Sequence, residues 1–241
     1  MPSIRLAIPV AVFCIAGCGA RTEPLASASD ASTEADVDLS PLGLSAAFYA
    51  SSSTDPARTL ASASGFFWMG DRQPRPGGGG PSYRLRAGES VSVNGVALQG
   101  GPADWGYVYQ GHAIPPPTDG RWVFRFVIQG RSITREVVLR PVRWVDFPSE
   151  PVSIASGVTL RWEPALPEAS TRRAYLTSCV LNERTEVGLS SARFEGRLSA
   201  NPCLSHAQLS ATVSAPLGAP FRDDSTIGAS TGLDRELRVV P

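Results

Sequence analysis

The chain has 241 residues, 42% hydrophobic and 18% charged, and its 22 basic and 22 acidic residues give a formal net charge of zero. That balance excludes an intrinsically disordered chain and leaves no basic stripe, so no nucleic-acid partner is expected. Every basic residue is arginine, and 23 Gly, 21 Pro and few stretches of helical period predict strands joined by turns, an all-β chain.

The amino terminus carries an address. Arg5 supplies a positive start, and Leu6 to Ile15 is an apolar run of about ten residues, too short to span a hydrocarbon core that needs ~20. The run closes on Ile15-Ala16-Gly17-Cys18. This segment resembles bacterial lipoprotein signal peptides, whose final box ends in an obligatory cysteine after small residues, with Ile15 standing where Leu is preferred. The resemblance implies loss of residues 1–17, a diacylglycerol on the Cys18 thiol and acylation of the new amino group. The membrane would then be a partner through that anchor, since each buried CH₂ contributes about 0.8 kcal/mol and two or three chains hold where one does not. Gly19, where an Asp would imply inner-membrane retention, implies an outer-membrane lipoprotein facing the periplasm or the cell surface. The alternative is an ordinary signal peptide with a cysteine near its cleavage site.

Residues 18–41 read as the lipidated cysteine and a disordered linker. From 21 to 41 the segment is rich in Ala, Ser, Thr and acids (Glu23, Asp30, Glu34, Asp36, Asp38) and has no aromatic to seed a core. A flexible coil of about twenty residues holds the body roughly 25 Å from the membrane. The remaining chain suits one large sandwich or, the preferred reading, two β-sandwich domains at 42–145 and 146–241.

In the first half, Phe66-Phe67-Trp68 cannot place all three rings on one side of a strand, so at least one needs cover beyond the adjacent core. Gly77 to Gly80, between Pro76 and Pro81, lacks the Lys-Ser/Thr pair of a phosphate loop and reads as a loop tip. Ser90 to Leu98 reads as two short strands around Asn94-Gly95, a dipeptide suited to a type I′ turn. Trp105, Tyr107 and Tyr109 are candidate binding aromatics. On one face of a strand they would offer a platform to sugar rings or to an apolar protein patch in the envelope, and the same alternation also describes a core strand. Trp122, Phe124, Phe126 and Ile128 alternate with Val123, Arg125 and Val127. Beyond Gln129-Gly130-Arg131, the returning strand carries Ile133, Arg135, Val137 and Leu139 and ends at Pro141, so 120–140 is predicted as a hairpin.

The second half follows Phe147-Pro148-Ser149-Glu150-Pro151. Val158-Thr159-Leu160-Arg161-Trp162-Glu163-Pro164 resembles the second strand of fibronectin type III-like and immunoglobulin-like domains, over these seven residues. The resemblance implies a two-sheet sandwich with Trp162 in the core, Leu160 and Val158 beside it, and says nothing of function. Tyr175 lies too near Trp162 to serve as a tyrosine corner. Further strands are expected at 173–181, 192–198, 209–213 and 236–240.

With Cys14 lost in the signal and Cys18 lipidated, Cys179 and Cys203 remain for a disulfide in an oxidising compartment. A rival reading uses Cys203-Leu204-Ser205-His206 with Cys179 as three zinc ligands, one short of a structural site. His112 and His206 flank no nucleophile motif, and Asp223-Asp224 point apart on an extended chain. No catalytic residue, cofactor or metal is therefore assigned. The chain reads as a lipid-anchored envelope protein with a non-catalytic binding or structural role. The alternative, an enzyme acting on polysaccharide or peptidoglycan, would need converging carboxylates about 5 to 10 Å apart.

Overall fold

A computed structural model describes residues 42–53, 61–71, 73, 82–104, 106–177, 179–198 and 203–241. Cys18 and the expected signal segment 1–17, the expected linker 18–41 and residues 77–80 lie outside the described residues.

The chain is all-β, with no helix among the described residues. Its strands are β1 (Leu44–Ser53), β2 (Ala61–Met69), β3 (Ser82–Tyr83), β4 (Ser90–Val93), β5 (Val96–Ala97), β6 (Gln99–Ala103), β7 (Gly106–Ile114), β8 (Arg121–Ile128) and β9 (Arg131–Val138). They continue with β10 (Arg143–Val145), β11 (Val152–Ser153), β12 (Val158–Glu163), β13 (Thr171–Thr177), β14 (Val180–Val187), β15 (Ser191–Leu198), β16 (Cys203–Pro216) and β17 (Thr226–Val240). Three open sheets result. The largest runs β13-β16-β17-β1-β2-β7-β6, with β3 on β2 and β11 on β17, and the two smaller ones run β10-β12-β15-β14 and β5-β4-β8-β9.

The expected 120–140 hairpin is present, because period-two alternation sends one set of side chains inward. Trp122, Phe124, Phe126 and Ile128 of β8 are fully buried, and Ile133, Val137 and Leu139 join them from the returning chain. The β4–β5 turn has φ of 48° at Asn94 and 80° at Gly95, both in the left-handed region that this dipeptide tolerates. Between the large sheet and the β8 sheet, Phe48 stands 4.8 Å from Phe67 and 5.4 Å from Phe126, ring centre to ring centre. Gly65 is what lets the Phe48 ring lie down, since a Cβ there would overlap it.

In the second half, β12 buries Val158, Leu160 and Trp162 and exposes Thr159, Arg161 and Glu163. The Trp162 indole N–H donates to the Leu189 carbonyl at 3.0 Å, satisfying the one polar atom that burying a tryptophan carries inward. The stretch expected as one strand at 173–181 is two, β13 and β14, and the C-terminal strands are longer than 209–213 and 236–240 imply.

Those long strands link the two halves of the chain. β16 and β17 pair from Cys203↔Val239 to Pro216↔Thr226, a hairpin about 45 Å long at roughly 3.3 Å per residue. Its lower part flanks β13 and β11, and the upper part of β17 pairs in parallel with β1 from Ala47↔Thr226 to Ser53↔Gly232. The hairpin's tip is built into the first half. Leu42 N–H donates to the Pro220 carbonyl at 2.9 Å, the Ser45 hydroxyl to Asp224 at 2.6 Å, and the Arg135 guanidinium to the carbonyls of Leu217 and Ala219 at 2.9 and 2.7 Å. Phe221 caps Phe126 at 5.3 Å. The division expected at residue 146 therefore does not coincide with a break in the sheet, and the buried side chains of both halves form one continuous cluster.

Candidate functional site

β6 and β7 form the end of the large sheet, paired from Gln99↔Gln110 to Ala103↔Gly106. Alternation along β7 sends Tyr107 and Tyr109 one way and Val108, Gln110 and His112 the other. The tyrosine side faces the core. Tyr109 is buried 5.6 Å from Phe67, and its hydroxyl oxygen accepts the Leu85 N–H at 2.6 Å. Tyr107 is half-buried 5.4 Å from Tyr109, with the Arg84 guanidinium 4.8 Å above its ring. Gly100 leaves room for both rings, which a Cβ there would meet. Tyr109 is thus core and Tyr107 core margin, an arrangement that fits the core-strand alternative allowed by the same alternation. Trp105 lies outside the described residues.

The opposite side of the same hairpin carries a groove of about 360 Å³. It is lined by Gln99, Gly101, Pro102, Val108, Gln110 and His112, together with residues of β5. The register sets Gln99 directly across from Gln110 and Gly101 across from Val108. Gln110 and His112 are exposed. A Cβ built on Gly101 would meet nothing within 4 Å, so the groove is open above that residue. The lining offers two carboxamides and an imidazole, groups that both donate and accept hydrogen bonds, over small and apolar surface. His112 was legible only as a surface histidine; the β6–β7 register sets the two glutamines of the same lining across from each other.

A polar network supports the core side of this end. The Tyr83 hydroxyl lies 2.8 Å from Glu89 Oε2, and Glu89 also accepts the Arg86 N–H at 2.8 Å and the Gln129 N–H at 3.0 Å. Burial pushes the Glu89 carboxyl up, but the two backbone donors, the Tyr83 hydroxyl and the Arg86 charge together outweigh it and hold the group below its ordinary value. Burial, then the hydrogen bond and the charge of Glu89, push Tyr83 up to about 12. Burial likewise raises Tyr109, against the Leu85 N–H that favours its anion. The network ties the chain before β4 to the β8–β9 turn.

The other candidate residues serve structure. Cys179 and Cys203 form the expected disulfide, with Cα atoms 6.0 Å apart, which fastens the start of β14 to the start of β16. His206 faces away from Cys203, because residues three apart on a strand point to opposite sides, and its Nδ1 instead meets Asp234 at 3.1 Å. The C-x-x-H zinc reading is overturned by both facts. No group of three or more His, Cys, Asp or Glu converges as a metal site among the described residues. Of the Asp223-Asp224 pair, Asp224 receives the Ser45 hydroxyl. On β2, Phe67 and Trp68 are buried on opposite sides of the strand, as the run of three rings requires.

No family model matches the chain, and no curated protein matches it. Among solved structures it is similar to a chimeric titin Z1Z2 carrying a decorin peptide, at 14% identity and a TM-score of 0.24 over 80% of this chain and 94% of that one. It is also similar to a titin Ig tandem, at 7% identity and a TM-score of 0.22 over 82% and 96%.

Proposed function

We propose that the chain is a lipid-anchored protein of the cell envelope that binds a partner, without catalysis, through the groove on the β6–β7 hairpin. The observation that carries the binding role is the groove itself: opposed carboxamides and an imidazole beside an open glycine, on the end of a sheet held rigid by the aromatic core behind it. The anchor rests on Ile15-Ala16-Gly17-Cys18 and on the linker that follows. Against the alternative of a polysaccharide-cleaving enzyme, the groove's lining carries one titratable side chain, His112, where glycoside hydrolysis uses two carboxyl groups.

Two experiments test this reading. Cell fractionation should find the wild type with membranes and Cys18→Ser in the soluble or unprocessed pool; a variant that stays in the membrane with the processed mass overturns the anchor. A photo-crosslinking residue at position 112 should trap an envelope component in living cells, whereas one at Tyr175, which is 41% exposed on β13, should not. Equal yields from the two positions, or none from 112, overturn the groove.

A further inference from the structure

The chemistry of the groove narrows what it can hold. We infer that its ligand is an uncharged, hydroxyl-rich glycan, an inference that rests on the groove being the binding site. A sugar hydroxyl is both donor and acceptor, and so is each carboxamide, so Gln99 and Gln110 can meet adjacent hydroxyls from the two strands whichever way those hydroxyls point. His112, two residues beyond Gln110 on the same side of β7, extends the row.

Charge argues the same way. None of the groove's lining residues is Arg, Asp or Glu, although 18% of the chain is charged. A phosphate, sulfate or carboxylate ligand gains most from a bidentate arginine or a lysine, and the lining holds neither residue type. The nonpolar part suits the C–H face of a sugar ring: Val96 and Ala97 of β5 supply apolar surface beside Val108, and Gly101, opposite Val108, leaves the space that a ring would enter.

The main competitor is an extended peptide added as a strand to β6, the last strand of the sheet. β6 is poorly built for that. It has five residues, two of them glycine, and Pro102 has no N–H to offer a new neighbour. The ligand is therefore expected to sit against the side chains of the hairpin rather than along its backbone edge.

The test uses the full-length protein in detergent, titrated by calorimetry with four probes: a β-1,4-linked N-acetylglucosamine tetramer, maltotetraose, a sulfated heparin tetrasaccharide and an unstructured octapeptide of alternating Val and Thr. At least one of the two uncharged glycans should bind, and the sulfated one should not bind more tightly. Gly101→Trp should abolish binding with an unchanged melt, because its side chain fills the groove from an open position. Gln110→Ala should weaken binding roughly tenfold by removing one or two hydrogen bonds, and Tyr175→Ala should leave it unchanged. If Gly101→Trp does not fold, the Gln99→Ala, Gln110→Ala double variant decides in its place. Absence of binding by both uncharged glycans, preference for the sulfated probe, or binding indifferent to these substitutions overturns the glycan. Should the octapeptide bind instead and be blocked by Gly101→Trp, the glycan fails while the groove stands; should crosslinking from position 112 also fail, both fall.

Discussion

Ala50 and Ala229 lie side by side in parallel register, both fully buried, although they stand near opposite ends of the folded chain. This pair marks the seam where the C-terminal hairpin completes the sheet that the first strand begins. Strand β1 takes one of its two neighbours from residues 226–232, so the sheet that the first half begins is completed by the second.

Fragments cut at the sequence joint test this. Expressed alone, 42–145 exposes the β1 edge and loses Phe221 from the Phe126 ring, and 146–241 presents half of a long hairpin with no sheet beside it. Neither is expected to give a cooperative melt by circular dichroism, whereas 42–241 does. Two independently cooperative fragments would contradict the shared sheet.

Gly65→Ala places a methyl group inside the volume of the Phe48 ring. Overpacking of this kind costs about 1–3 kcal/mol, and denaturant titration should show that loss. Gly101→Ala, whose Cβ meets nothing, is the matched control and should fall within about 0.5 kcal/mol of the wild type.

Reduction of Cys179–Cys203, 24 residues apart in sequence, releases a loop whose closure stabilises by roughly 3 kcal/mol in the chain-entropy model. For a chain of this size that is a melting point lower by about 6–12 °C. Protein purified without reductant should show no free thiol from this pair.

The β8–β9 hairpin, Trp162 and the disulfide were legible in the sequence because each has a local signal: strict alternation, an isolated large aromatic in an alternating run, and two cysteines left over. The β1–β17 seam has none. Leu44 to Ser53 reads Leu-Ser-Ala-Ala-Phe-Tyr-Ala-Ser-Ser-Ser, and its first five residues are buried on both sides of the strand, so small residues replace the alternation that would have marked it. The groove was hidden for a different reason. Its lining holds no Arg, Asp or Glu and forms no motif, and Gln99 and Gln110 converge only through strand pairing, while Tyr107 and Tyr109 beside them turn toward the core.

The Glu89–Tyr83 network gives the fold two pH limits of opposite sign. Glu89 is held below its ordinary value in the folded state, so its contribution is present at neutral pH and is lost as pH falls through that lowered value. Tyr83 is raised to about 12, so its contribution is present below the ordinary value near 10 and fades as pH rises from there toward 12. Melting curves should show Glu89→Gln flattening the acid limb and Tyr83→Phe flattening the alkaline one. Unchanged slopes in both variants would remove the network from the stability account.

The proposed anchor displays this body from a membrane through its first mature residue, and intact-mass spectrometry of protein extracted from envelopes is the direct test. The expected species lacks residues 1–17 and carries diacylglycerol, with or without a further acyl chain, on Cys18. An envelope-derived protein that begins elsewhere, or whose Cys18 bears no lipid, would contradict it.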